Sequence, residues 1–253
     1  MVAIILVAIF CLCFAAVGFA EASALETSTY ELNGVTFTMI LVEGGTFTMG
    51  SNSRLENQKP EHEVTLSSFL IGETEVTQAL WNLVMGSGSG SNEYPVASVT
   101  VPECRTFVER LNAMAHEAGI IPADMNFHML TEAQWEYAAK GGNRSNGYVY
   151  AGSNTLSDVG WTSSDGGSVH MVKQKQPNEL GIYDMSGNVY EWVADYAGDY
   201  PSEPQTNPCN ENGSQYVKRG GSFYYNDPER FTCTYRYFYG STDYTIGTRI
   251  ALY

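Results

Sequence analysis

The chain has 253 residues, 43% of them hydrophobic, and a formal net charge of −15. That length admits one large domain or two small ones, with apolar content enough for a core. So negative a charge argues against nucleic acid or an anionic membrane surface as the main partner, and suits an exported soluble protein or a calcium binder.

Val2 to Ala20 is uncharged and almost wholly apolar, and small residues follow at Gly18 and Ala20 and again at Ala22 and Ala24. Residues 1–24 therefore read as a secretory signal peptide. No Lys or Arg precedes the apolar run, which leaves two alternatives. One is an uncleaved anchor helix, since about 20 apolar residues span a bilayer. The other is a lipoprotein signal on Cys11 or Cys13, though neither sits in a well-formed lipobox. The expected location is outside the cytoplasm: secreted, periplasmic or on a bacterial cell surface. Contact with a membrane is expected only through this segment, if it is uncleaved or lipidated. Beyond it, Cys104, Cys209 and Cys233 allow one disulfide and one thiol, or three reduced thiols. Their spacing matches no zinc or redox motif.

Residues 25–40 read as a short lead-in and 41–253 as one domain without a dividing linker. Gly44 to Gly50 predicts a strand ending in a turn, and His62 to Ile71 alternates as a second strand. Thr77 to Met85 is a short amphipathic helix bearing Leu80, Trp81 and Val84. Ser87 to Asn92 is a Gly/Ser loop. Pro102 then begins a helix to about Ala118 with Phe107, Val108, Leu111 and Met114 on its apolar face and Gly119 as its stop. Thr131 and Gln134 form a capping-box pattern opening a helix through Lys140, which Gly141-Gly142 ends. From there Gly, Asn, Ser and Asp dominate, with short strand-like pieces such as Gln215 to Lys218. Helices early and a long irregular half later predict an α+β fold with much ordered loop.

The C-terminal stretch Val217 to Leu252 opens on Arg219-Gly220-Gly221-Ser222 and closes on Ile246-Gly247-Thr248-Arg249. Between these anchors lie aromatic residues mixed with Asn, Asp, Ser and Thr, without helical or strand period. Tyrosine among small polar residues is what recognition surfaces use, because it gives large amphipathic contact area for few rotatable bonds.

Five phrases in order, GGTFTMGS (44–51), PEHEVTLSSFLIGETEVTQALW (60–81), LTEAQWEYAAKGG (130–142), PNELGIYDMSGNVYEW (177–192) and VKRGGSF (217–223), resemble the formylglycine-generating-enzyme/sulfatase-modifying-factor domain family. The resemblance covers about residues 41 to 252 and implies that family's C-type-lectin-like α+β fold, low in regular secondary structure. Fold is not function, which is argued at the site. The family's enzymes hold copper with two cysteines soon after the GGS turn, and thiolates suit soft Cu(I). Here those positions are Tyr225 and Arg230, while Cys233 is alone and displaced. The resemblance therefore implies a noncatalytic member without copper. His62, His116, His128 and His170 are scattered, and each reads as structural or solvated.

The resemblance also implies a structural calcium ion. Asp184 and Glu191 would give side-chain oxygens and Gly187 and Val189 main-chain carbonyls, hard donors suited to a hard ion. A second family site would involve Asp158 and the Val159 carbonyl, without a clear remainder.

Some relatives are variable proteins of treponemes, targets of diversity-generating retroelements that rewrite adenines, chiefly in AAY codons. Such rewriting yields Tyr, Phe, Asp, Ser, Thr and Gly among others, the types crowded into 223–245. On this reading Tyr224, Tyr225, Asn226, Asp227, Tyr237, Phe238, Tyr239, Ser241, Thr242, Asp243 and Tyr244 form the ligand-binding surface. Its ligand would be an unidentified protein or glycan. Phe223, Tyr235 and Arg236 look like scaffold. The competing readings are a structural or accessory cell-envelope protein of the same fold, and an enzyme of altered, non-copper chemistry.

Overall fold

The computed structural model describes residues 25–87, 93–238 and 243–253. Residues 1–24, expected to be a signal peptide, most of the Gly/Ser loop, and Tyr239, Ser241 and Thr242 lie outside the described residues.

Strands β1 (Thr27–Leu32) and β2 (Val35–Val42) pair antiparallel about Asn33-Gly34, both residues at positive φ. Asn-Gly favours this tight hairpin because both central residues must adopt φ > 0. Residues 25–40, set apart above as a lead-in, thus carry β1 and most of β2, and Met39 and Ile40 lie in the core. β3 (Gly45–Met49) forms as expected. The run His62 to Ile71 is not one strand but two, β4 (His62–Leu66) and β5 (Phe69–Gly72), in different sheets. The chain crosses between sheets at Ser67-Ser68. There the Ser67 amide donates to Asn207 Oδ1 and Ser68 Oγ accepts from the Gly44 amide.

α1 (Gln78–Met85) is capped by Thr77, and α2 (Val101–Ala118) by a reciprocal Thr100–Glu103 capping box. Trp81 of α1 stacks on Phe107 of α2 at 4.9 Å. After β6 (Phe127–Met129), α3 (Glu132–Ala139) starts at the expected Thr131–Gln134 box and is buried along its whole length. Then come α4 (Leu156–Val159), β7 (Gly160–Trp161), β8 (Ser186–Gly187), β9 (Tyr190–Tyr196), β10 (Gln205–Thr206), β11 (Tyr216–Arg219), β12 (Arg236–Tyr237), β13 (Ile246–Thr248) and β14 (Ile250–Leu252).

The sheets run β1-β2-β5-β14-β6, β12-β11-β9-β13, β10-β4-β3 and β7-β8. One core cluster joins the five-stranded sheet to α1 and α2 through Leu32, Met39, Trp81, Phe107, Leu111 and Phe127. The other surrounds α3 with Ile40, Val64, Ile71, Trp135, Val193 and Val217. Each fully buried large apolar side chain contributes roughly 1.5–3 kcal/mol. No helix among the described residues is long and apolar enough to cross a membrane.

The buried faces of α3 also carry charge. Arg219, fully buried, donates to Glu136 Oε2 at 2.6 Å and Glu132 Oε1 at 3.3 Å, and Arg236 donates to Glu132 Oε2 at 2.6 Å. Buried charges persist only when paired and hydrogen-bonded. These pairs tie α3 to β11 and β12, the strands that frame the C-terminal segment.

Candidate functional site

β11 delivers the chain into Gly220-Gly221, at φ of +91° and +78°. A Cβ on Gly221 would stand 2.8 Å from the Phe231 ring and 2.9 Å from the Arg230 carbonyl, so only glycine fits this turn. The segment beyond is fixed largely through its main chain. Arg219 donates to the Cys233 and Thr234 carbonyls, and Ser186 Oγ to the Phe231 carbonyl. The Phe223 amide donates to the Asn188 carbonyl, and the Tyr225 carbonyl accepts from the Ser163 amide.

Tyr225 and Arg230, the two positions where the resembled enzymes carry cysteine, pack against each other. The Arg230 guanidinium lies 4.3 Å from the centre of the Tyr225 ring. It also lies 5.4 Å from the Tyr237 ring, and Nη1 donates to Tyr235 Oη at 3.1 Å and Tyr190 Oη at 3.4 Å. Lys218 of β11 comes from below, with Nζ 5.1 Å from the centres of both Tyr190 and Tyr237 and 5.5 Å from Trp192. Burial pulls the Lys218 ammonium pKa down, opposed by Asp243. Tyr190 is fully buried, and burial raises its phenol well above the ordinary value. Two cations thus sit in an aromatic bed where cation–π contact is strengthened by desolvation.

Of the residues expected at this surface, Tyr224 and Tyr244 stand out at 55% and 57% exposure, their rings 5.8 Å apart and perpendicular. Asn226 and Asp227 are exposed, and Tyr225, Tyr237, Phe238 and Asp243 are partly buried. Phe223 and Tyr235 are buried scaffold, as read from sequence. Sequence reasoning passed over Lys218 and Tyr190. The available signal was a lysine between apolar Val217 and the invariably charged Arg219 of a strand-like run, a pattern that asks what pairs it. No histidine joins the cluster: His62 packs on Tyr200, His128 on Tyr253 and His170 on Trp161, while His116 bonds Asn126.

The face does not fit copper. A phenol and a guanidinium replace the two thiolates, and Cys233 is buried with its thiol pushed up to about 12 by burial. Cys104, Cys209 and Cys233 are all free thiols.

In the 184–191 segment, expected above to hold calcium, the two carboxylates are differently engaged. Glu191 Oε1 accepts from Arg249 Nη2 at 2.7 Å and Nε at 3.1 Å, and Oε2 accepts from Trp135 Nε1 at 2.8 Å. Arg249 completes its own bonding on the Gly72 and Tyr183 carbonyls. Asp184 Oδ2 accepts from the Lys173 amide while buried Oδ1 has no partner. Burial and the neighbouring Glu191 charge push Asp184 up to about 6 against the opposing Lys173 amide bond and Arg249. Calcium asks for 6–8 oxygens; the unpartnered Asp184 Oδ1 could supply one, while both Glu191 oxygens are taken by Arg249 and Trp135. No group of three or more His, Cys, Asp or Glu able to hold a metal ion occurs among the described residues.

A cavity of about 640 Å³, lined among others by Arg105, His128, Cys209 and Tyr253, lies apart from the aromatic cluster and shares no residue with it.

The sequence matches the family described as sulfatase-modifying factor enzyme 1-like domain over residues 26–252. It is 32% identical to the chaperone protein LppX of Paenibacillus barcinonensis over 232 residues, 72% of this chain and 78% of that protein. It is 36% identical to the formylglycine-generating enzyme of Streptomyces coelicolor over 115 residues, 38% of this chain and only 36% of the enzyme's length. The fold superposes on Treponema denticola variable protein 1 with a TM-score of 0.78 and 31% identity, covering 89% of this chain and 98% of that one.

Proposed function

The chain belongs to the sulfatase-modifying factor enzyme 1-like domain family, and from that premise we propose that it is an exported, noncatalytic ligand-binding protein. Its α+β, C-type-lectin-like scaffold presents the aromatic face around Tyr224, Tyr225, Tyr237 and Tyr244 to a protein ligand. The observation that carries this reading is the Tyr225–Arg230 pair. Where copper chemistry needs two thiolates, this chain has a stacked phenol and guanidinium at 4.3 Å, groups that grip a partner and cannot hold Cu(I). Tyrosine and arginine are the residue types that dominate binding hot spots. The likeness to Treponema denticola variable protein 1 supports the further reading that 223–245 is diversified by a retroelement. A near-identical template repeat differing at adenines, beside a reverse transcriptase gene, is the observation that tests it.

Binding screens on protein and glycan arrays test the recognition role. Purified protein is expected to give specific signals that vanish in Tyr224→Ala/Tyr244→Ala. Signals indifferent to both substitutions, or copper-dependent oxygen consumption with a cysteine-containing peptide, would overturn it. A second reading, an accessory envelope protein that holds a client, is favoured by the similarity to a protein named as a chaperone over most of its length. It predicts binding to unfolded client chains that survives both tyrosine substitutions.

A further inference from the structure

The aromatic face carries two cations whose internal counter-charges are loosely held. Arg230 is partnered by Asp227, Nε to Oδ2 at 3.8 Å, and that carboxylate is 60% exposed. Lys218 is partnered by Asp243, Nζ to Oδ2 at 3.6 Å, with the carboxylate 40% exposed. Direct charge-assisted hydrogen bonds run at about 2.7–2.9 Å, as Arg219 with Glu136 shows at 2.6 Å in the core. Both pairs are therefore wide, but only Arg230–Asp227 is also wet, because the Lys218 side chain is 3% exposed. An exposed pair contributes about 0–1 kcal/mol, so a better-placed anion can take over Arg230, whereas buried Lys218 keeps Asp243 because a buried charge left unpaired is costly.

Each aspartate has a second task that does not need its charge. Asp227 Oδ1 accepts from the Glu229 amide and caps the short turn at Pro228–Phe231. Asp243 Oδ1 accepts from the Thr245 amide at 2.8 Å. The cations are held elsewhere: Arg230 by phenol oxygens and rings, Lys218 by three rings. The Arg230 guanidinium therefore keeps its place without the Asp227 charge.

Resting on the recognition role proposed above, we infer that the ligand class of this face is a carboxylate-bearing peptide, whose Glu or Asp takes the place of Asp227 beside Arg230. Exposed ring geometry favours a peptide over an acidic sugar. Tyr224 stands at 87° to Tyr225 and 88° to Tyr244, so these rings form pockets between edges and faces and no coplanar platform for a pyranose. The overall charge of −15 does not forbid an anion, because charges beyond about 8 Å are largely screened at physiological salt.

The test is a peptide array of heptamers in which one to three glutamates among Ser, Ala and Tyr are matched by glutamine versions. Wild-type protein is expected to bind the glutamate peptides better, with the difference shrinking as salt rises. Asp227→Asn keeps the Oδ1 acceptor while removing the charge. It is expected to bind glutamate peptides about threefold more tightly, a gain of the size a loose exposed pair is worth. Arg230→Gln should abolish the glutamate preference. If Asp227→Asn loses affinity, the aspartate serves the ligand and the inference is overturned, whatever Arg230→Gln does to folding. Equal binding of glutamate and glutamine peptides, or binding confined to acidic glycans on a parallel array, overturns it too. In the equal-binding case, loss of both signals in Tyr224→Ala would leave the recognition role standing alone. Signals insensitive to Tyr224→Ala would sink that role instead.

Discussion

Glu191→Gln is the substitution in which the geometry makes its strongest demand. The carboxylate is 1% exposed and is the charge partner that Arg249, itself fully buried, meets in its hydrogen bonds. A glutamine keeps the volume but turns one oxygen into a donor, which must face either the Trp135 indole N–H or the guanidinium. Arg249 then remains buried beside Glu75 and Asp184, whose pKa values are raised, Glu75 by burial first and then by Asp184 and Glu191. Breaking a buried ion pair from one side costs about 3–5 kcal/mol. In a domain of this size each kcal/mol shifts Tm by about 2–4 °C, so Tm is expected to fall by roughly 10 °C. Urea unfolding followed by tryptophan fluorescence, alongside calorimetry, measures both quantities. Millimolar calcium should leave the wild-type midpoint in place, since a ligand stabilises only by binding the native state. Loss of less than about 1 kcal/mol in Glu191→Gln, or a wild-type Tm that climbs with calcium, would refute the assignment of Glu191 to Arg249.

Tyr224→Ala/Tyr244→Ala, at rings more than half exposed, should change unfolding free energy by no more than about 0.5 kcal/mol, and a larger loss in urea melts would make these rings scaffold. Asp195 is held up at about 6 by burial first and then by Glu132, above an ordinary 3.8. The folded state therefore binds that proton more tightly, and its contribution is full below about pH 4 and lost as pH rises through about 6. Tm should rise by about 3 °C between pH 7 and pH 5, about 1 kcal/mol from this group, and Asp195→Asn should flatten that rise; an unchanged slope speaks against it. Thiol labelling at pH 7 should find no fast-reacting cysteine, because burial pushes Cys104 and Cys233 up to about 12, and Cys209, on an exposed residue, is raised as far by partial desolvation of its sulfur and by the Asp195 and Glu211 charges. Only exposed Cys209 should label slowly in the native protein, with the other two appearing in urea, and rapid labelling of Cys233 would contradict its burial.

Much of the fold is legible where local chemistry decides it. The caps at Thr77, Thr100 and Thr131 are written in the residues that satisfy the first amides of each helix. The glycine pair at 220–221 is legible because a side chain has no room there. Asn33-Gly34 between alternating residues carried the hairpin signal too, although its place in the five-stranded sheet depends on β5, far along the chain. The break at Ser67-Ser68 was hidden because alternation continues through it while the chain changes sheets. At the site, exposure of Tyr224 and Tyr244 followed from composition. The meeting of Lys218 with Tyr190 and Tyr237 did not, because cross-strand register sets it. Glu191 and Arg249 are 58 positions apart, and no local pattern announces that the acid's partner is an arginine.

The way Arg219, Ser186, Asn188 and Ser163 hold the C-terminal segment by its peptide groups makes that segment indifferent to much of its own spelling. A loop gripped by carbonyls and amides keeps its path when side chains on its outer side are exchanged. Randomised at 224, 226 and 244, this protein would serve as a library scaffold in which each clone displays a new surface on an unchanged backbone.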